Sequence, residues 1–198
     1  MEAGAPRPLA EAVRPECLTD VVGQDHLLGP DGPLRRMVDS GRISSTILWG
    51  PPGVGKTTIA QLLAKDTGFA FEALSAVFSG VKELRAVFDK AKARRSTGQG
   101  TVLFVDEIHR FNKAQQDGFL PFVERGDIIL IGATTENPSF ELNGALLSRC
   151  QVLTLKALDE AALDKLLMRA ADYLQRALPL DDEGTTYLKS LAGGDGRY

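Results

Sequence analysis

A chain of 198 residues with 43% hydrophobic and 25% charged side chains can bury one sizeable core and has the composition of an ordinary water-soluble protein. Its net charge of −3, all of it carried by residues 157–198, supplies no global field for nucleic acid or a membrane surface. Two cysteines without a Cys-x-x-Cys spacing, no apolar h-region near Met1 and no run near the ~18 apolar residues of a membrane span argue against a disulfide framework, a signal peptide and a membrane anchor, and fit a cytoplasmic protein.

Residues 1–16, with three prolines and little to bury, read as a flexible N-terminal arm. Residues 18–32 are turn-rich and contain Val21, Val22 and Gly23. A short helix is expected over 34–40, closed by Gly41, followed by a first strand over 46–49. The glycine-rich run 50–57 separates that strand from a helix over 58–65. Residues 69–74 alternate like a strand, and 80–95 have helical spacing at Val81, Leu84, Val87, Phe88 and Ala91. The unbroken apolar run 101–105 and the run 127–131 read as strands covered on both faces. Between them 110–124 is expected to be helical, kinked or restarted at Pro121. A short helix over 139–148 and a fifth strand over 151–155 complete the alternation, which argues for a three-layer α/β fold with a parallel five-stranded sheet over 17–156. From Ala157 the texture changes. Residues 158–178 and 182–191 carry helical periodicity with no strand between them, as the start of an all-helical unit that breaks off after Gly-Gly-Asp-Gly-Arg and is expected to be incomplete.

Gly50-Pro51-Pro52-Gly53-Val54-Gly55-Lys56-Thr57 is a G-x-x-x-x-G-K-T loop placed between a strand and a helix, the context in which such a loop wraps the phosphates of a nucleoside triphosphate. Backbone N–H groups of the loop and of the helix start, through Thr58, are expected to face the phosphates, where the helix dipole favours negative charge. Lys56 is expected to reach the β- and γ-phosphates and the Thr57 hydroxyl to ligate Mg²⁺. The strand 101–105 ends in Asp106-Glu107. At that end of an open α/β sheet, Asp106 suits a Mg²⁺ ligand and Glu107 suits a base for the attacking water. Ile131-Gly-Ala-Thr134-Thr135-Glu-Asn ends another strand in hydroxyls; one of them could report on the γ-phosphate, and a helix-capping role competes. Arg149 closes a short helix, ordinarily a surface position, yet an arginine on the developing charge accelerates phosphoryl transfer by about 10³- to 10⁵-fold. His26 and His109 have no partner at ligand spacing. The basic run 90–95 suits a helix C-terminus better than a DNA contact. Phe111 and Phe119 fit either core or a partner surface.

In this order the four pieces resemble an AAA+ ATPase of the clamp-loader group. Residues 47–53, 79–83, 105–117 and 132–143 are similar to the replication-associated recombination protein A family, whose eukaryotic relatives include the Werner helicase-interacting protein. The resemblance implies ATP and Mg²⁺, with Lys56 and Thr57 as Walker A residues and Asp106 and Glu107 as the Walker B pair. It makes Thr135 the sensor of the γ-phosphate, with Thr134 second, and Arg149 a finger acting on a neighbouring subunit of a homo-oligomer. Arg197 would be the lid arginine, and Val21 and Val22 would contact adenine. It further implies a cytoplasmic, DNA-dependent ATPase at stalled forks, working on single-stranded or forked DNA beside replication proteins such as single-strand-binding protein. A clamp-loader subunit, a RuvB-like motor and a nucleotide-gated scaffold with little turnover are the alternatives.

Overall fold

The computed structural model describes residues 7–198. Part of the expected N-terminal arm therefore lies outside the described residues, and the remainder is not a featureless tail. A first short helix, α1 (Leu9–Ala12), forms there, and Ala10 and Val13, partly buried, line a cavity shared with the body of the protein.

A 3₁₀ turn (Leu18–Asp20), α2 (Asp25–Leu28) and α3 (Pro33–Asp39) lead to the sheet. Its strands are β1 (Thr46–Trp49), β2 (Ala70–Ser75), β3 (Thr101–Asp106), β4 (Ile129–Thr134) and β5 (Gln151–Thr154). They run in the order β2-β3-β4-β1-β5, with every pairing parallel. The glycine-loop strand β1 is flanked on both sides, Trp49 standing beside Thr134 of β4 and Thr154 of β5. A sheet covered on both faces needs apolar side chains of both parities, and β3 accordingly buries all of Thr101–Val105.

Two cores result. On one face α4 (Lys56–Asp66) buries Ile59, Ala60, Leu62 and Leu63 against Leu48, Phe104, Ile131 and Ala133. On the other, α5 (Val81–Ser96) packs Leu84, Val87 and Phe88 against Leu103, Val105 and Leu130. Phe111 and Phe119 belong to this second core, 2% and 0% exposed, which decides between core and partner surface in favour of core. Phe119 meets Phe88 edge-on with ring centroids 5.8 Å apart.

The helix expected over 110–124 is broken into a 3₁₀ turn (Ile108–Arg110), α6 (Lys113–Asp117) and α7 (Leu120–Glu124). Asn112 and Gln115 form a reciprocal capping box at the start of α6. Pro121 falls in the first turn of α7, where its missing N–H costs nothing. β4 starts two residues later than expected because Asp127 belongs to the preceding turn. Its carboxylate accepts from Arg95 and Arg125, both at 2.9 Å, and its N–H donates to the Phe122 carbonyl at 2.8 Å. Burial alone would raise the pKa of Asp127; the two guanidinium hydrogen bonds outweigh it and hold the carboxyl below its usual range.

The segment expected as one helix over 139–148 forms two, α8 (Pro138–Glu141) and α9 (Gly144–Leu147), the second capped by Asn143 accepting from the Leu146 N–H at 2.7 Å. After β5 come α10 (Glu160–Leu174), capped by Asp159, and α11 (Asp182–Ala192), capped by Asp181. α10 stops short of the expected end, at Gln175, whose φ of 52° is left-handed. The basic end of α5 is spent within the molecule: Arg94 pairs with Glu72 at 2.6 Å and Arg95 with Asp127 at 2.9 Å. Among the described residues no helix is long and apolar enough to cross a membrane.

Candidate active site

The C-terminal ends of β1 and β3 deliver the glycine loop and the Asp106-Glu107 pair to one edge of the sheet. They line a single cavity of about 320 Å³ together with Val21, Val22 and Arg197. Of the loop, Pro52 through Thr58 face it. Gly50 and Pro51 instead offer their carbonyls to the Lys56 ammonium, each accepting from Nζ at 2.7 Å. Lys56 is 8% exposed. Burial lowers its pKa, against the opposing pull of the Glu107 and Asp106 carboxylates. Gly55 caps α4 at φ 99°, a left-handed conformation that a side chain would strain, so the loop turns directly into the helix N-terminus.

The cavity has two characters. Lys56, Thr57, Asp106 and Glu107 give it polar lining, and Val13, Val21, Val22, Leu158 and Leu166 give it apolar lining. Val22 packs with Leu158, Ala162 and Leu163, so the segment after the 3₁₀ turn and the helical region close on each other there. The Thr57 hydroxyl and the Asp106 carboxylate are hard oxygen donors on the same cavity, a set that fits Mg²⁺ held partly by substrate phosphates and water. Among the described residues no cluster of three or more His, Cys, Asp or Glu side chains is built for a metal.

The tip of the helical region rests on the loop. The Gly196 N–H donates to the Gly53 carbonyl at 3.1 Å, and the Leu158 N–H to Gly194 at 3.2 Å. Asp195 approaches Gly53 so closely that a Cβ there would stand 1.6 Å from its Oδ1, and the φ of +68° at Gly53 would strain any side chain. Arg197 donates to Asp195 from Nη2 at 3.0 Å and from Nε at 3.3 Å. These hydrogen bonds lower the pKa of Asp195, with a smaller pull from Lys56. Asp195 is a site residue that sequence reasoning missed, although Gly-Asp-Gly-Arg was in view. The lining contributed by Pro8, Ala10, Val13 and Arg14 carried no motif at all.

Glu107 stands at φ 51° and ψ 45°, a left-handed conformation for a residue with a Cβ. Such a backbone costs roughly 1–2 kcal/mol and aims the carboxylate away from β3. Glu107→Gly is therefore expected to melt about 2–4 °C above Glu107→Ala for each kcal/mol recovered, measured by calorimetry, both variants lacking the carboxylate; a glycine midpoint well below that of the alanine variant would mean that the conformation carries no strain.

Thr134 and Thr135 diverge. Thr134 is 0% exposed, and its hydroxyl is engaged locally, accepting from the Glu136 N–H at 3.0 Å and lying 2.9 Å from His109 Nδ1. Thr135 follows β4 with the parity of Ile131 and Ala133, the residues that pack on the α4 face, and it lies outside the cavity lining. Arg149 is also outside that lining. It donates to Glu124 from Nε at 2.7 Å and to the Ala145 carbonyl at 2.7 Å, at the end of α9. His26 serves structure, its Nε2 standing 2.9 Å from the Thr154 carbonyl.

Residues 46–158 match the model of the ATPase family associated with various cellular activities (AAA). Replication-associated recombination protein A of Coxiella burnetii is 52% identical over 96% of this chain, and that of Escherichia coli K12 is 48% identical over 96%. The chain spans 44% of the length of each of these relatives. Among solved structures, a variant of RuvB from Thermotoga maritima superposes with a TM-score of 0.76 at 27% identity, covering 93% of this chain and 62% of that one. The chain therefore belongs to the AAA family of ATPases, with replication-associated recombination proteins A as relatives along nearly its whole length.

Proposed function

We propose that this chain binds ATP with Mg²⁺ in the cavity above β1 and β3 and hydrolyses it to ADP and phosphate. The observation that carries the reading is that Lys56, Thr57, Asp106 and Glu107 line one cavity together with the apolar Val21, Val22, Leu158 and Leu166. A nucleotide likewise joins charged phosphates to a base with apolar faces. Pro52–Gly55 and Thr58 enclose the phosphates, Lys56 exchanges the Gly50 and Pro51 carbonyls for phosphate oxygens, and Val21 and Val22 flank the base. Thr57 and Asp106 hold Mg²⁺, which supplies charge neutralisation at the phosphates. Glu107 takes the proton of the attacking water, Thr135 comes onto the γ-phosphate only by a movement of the β4 end, and Arg197 moves from Asp195 onto the nucleotide. In this reading residues 17–156 are the ATPase core and 157–198 are part of the lid.

Arg149 and Thr135 lie off the cavity, and the reading gives Arg149 to the ATP of a neighbouring copy in a homo-oligomer. The names of its relatives support a role in replication-associated recombination; the reading extends this to fork maintenance in the cytoplasm, on single-stranded or forked DNA and alongside single-strand-binding protein. Steady-state ATP hydrolysis by the full-length protein, with and without forked DNA, is the test. Turnover raised by forked DNA is expected. Turnover indifferent to DNA would contradict a DNA-dependent ATPase, and nucleotide binding with negligible turnover would favour a nucleotide-gated scaffold.

A further inference from the structure

His109 is isolated in sequence but not in space. It sits in the 3₁₀ turn directly after Glu107, and its side chain is 8% exposed. Its Nδ1 lies 2.9 Å from Thr134 Oγ1 and 3.3 Å from Glu107 Oε2. One ring nitrogen therefore faces two oxygens, one on the end of β4 and the other on the proposed base.

Hydrogen-bond accounting fixes which way the proton points. A threonine hydroxyl has one proton to give and two lone pairs to accept with. Thr134 Oγ1 accepts from the Glu136 N–H at 3.0 Å and lies 3.2 Å from the Glu136 carbonyl, which can only accept. With the hydroxyl proton on that carbonyl, the second lone pair is left for His109 Nδ1–H. The opposite assignment, a hydroxyl donating to a bare Nδ1, would set the ring nitrogen 3.3 Å from a carboxylate oxygen with no proton between them. Two acceptors at that distance repel. The satisfied arrangement puts the proton on Nδ1, where the hydroxyl of Thr134 and the carboxylate of Glu107 share it.

We propose that His109 is a positioning residue for hydrolysis, linking the Glu107 carboxylate to the Thr134 hydroxyl at the end of β4 through the single proton on Nδ1. The backbone of Glu107 is already turned into the left-handed region, so the carboxylate leaves β3 in a direction that the strand itself does not hold. The imidazole supplies the missing constraint. Thr134 precedes Thr135, so a movement of the β4 end when a γ-phosphate engages Thr135 is passed to the base. Drawing the Nδ1 proton toward Thr134 releases the carboxylate to accept a proton from water; letting it return to Glu107 restrains the base. This inference rests on Glu107 acting as the base.

The test uses the full-length protein with ATP and Mg²⁺, and an Asn/Gln pair as the discriminating variants. An asparagine amide places its N–H near the position of Nδ1, whereas a glutamine amide places it nearer Nε2. His109→Ala is expected to lower kcat on the order of 10- to 100-fold, with KM and the affinity for a fluorescent ATP analogue unchanged. His109→Asn should recover most of that loss and His109→Gln little of it. Thr134→Val should lower kcat as well and add little in combination with His109→Ala, since both cut the same link. Unchanged kcat in His109→Ala would overturn the proposal, as would equal behaviour of the Asn and Gln variants or full additivity with Thr134→Val. Glu107→Gln, assayed in parallel, separates the two layers: retained turnover there removes the base itself, whereas lost turnover beside an active His109→Ala removes only the positioning role.

Discussion

Replacing Glu107 with glutamine is expected to leave ATP binding intact while lowering turnover by about 10²- to 10⁴-fold, the range over which a positioned general base contributes. The size follows from the geometry. Glu107 and Asp106 both face the cavity but do so from different backbone conformations, Asp106 from the end of β3 and Glu107 from a left-handed turn. Asp106 is partly engaged, its Oδ1 accepting from the Glu107 N–H at 3.1 Å, which aims one carboxylate oxygen back at the chain. The two carboxylates therefore cannot substitute for each other. The amide of glutamine keeps the shape and the contact region of Glu107 but has no lone-pair basicity to draw a proton from water. Binding measured by equilibrium titration should match that of the unaltered protein. Turnover within threefold of the unaltered protein would show that the proton leaves by another route.

The second large effect belongs to Arg149. Arg149→Ala is expected to cost about 10³- to 10⁵-fold in turnover, the contribution of an arginine placed on the charge developing at a transferred phosphoryl group. Within one copy, Arg149 lies outside the lining of the cavity. It is held at the end of α9 by Glu124, with Nη2 to Oε1 at 2.5 Å, and by the Ala145 carbonyl. An exposed pair of this kind contributes roughly 0–1 kcal/mol to stability, so losing it should leave the fold unaltered. A large catalytic loss with an unchanged thermal midpoint and unchanged ATP affinity is thus the expected pattern. A matching loss of stability would assign Arg149 to structure instead.

Much of this site was legible because its parts are contiguous in sequence. The glycine loop, the strand ending in Asp106-Glu107 and the position of β1 follow from local pattern, and β1 spans the expected residues. Boundaries failed where side chains from distant segments set them. Arg95 and Arg125 hold Asp127 in a turn and delay β4; neither arginine is marked by local periodicity as a partner of that carboxylate. The N-terminal arm looked unstructured because its few apolar residues carry no local pattern; Ala10 and Val13 face the same cavities as Leu166 of the helical region, far along the chain. Asp195 escaped notice for a related reason. Its carboxylate matters only because the tip of the helical region comes down on Gly53, a contact between residues 142 positions apart in the chain. His109 was invisible as part of the site because its partner at the end of β4 is 25 residues away.

The Thr134/Thr135 choice shows the same limit from another side. Both are hydroxyls at a strand tip, and composition gives no preference between them. Burial and pairing separate them: Thr134 is committed to Glu136 and His109, whereas Thr135 continues the parity of the α4 face.

In the proposed function each cavity binds ATP by itself but needs Arg149 from another copy to complete hydrolysis. Mixing two inactive full-length variants tests this dependence most directly. Lys56→Ala cannot bind ATP productively but retains Arg149; Arg149→Ala binds ATP but offers no arginine. Mixed in equal amounts, they are expected to regain ATP hydrolysis well above the sum of the two measured separately, because some interfaces then pair an intact cavity with an intact arginine. Hydrolysis no greater than that sum, in a mixture shown by cross-linking to contain hybrid oligomers, would contradict this dependence.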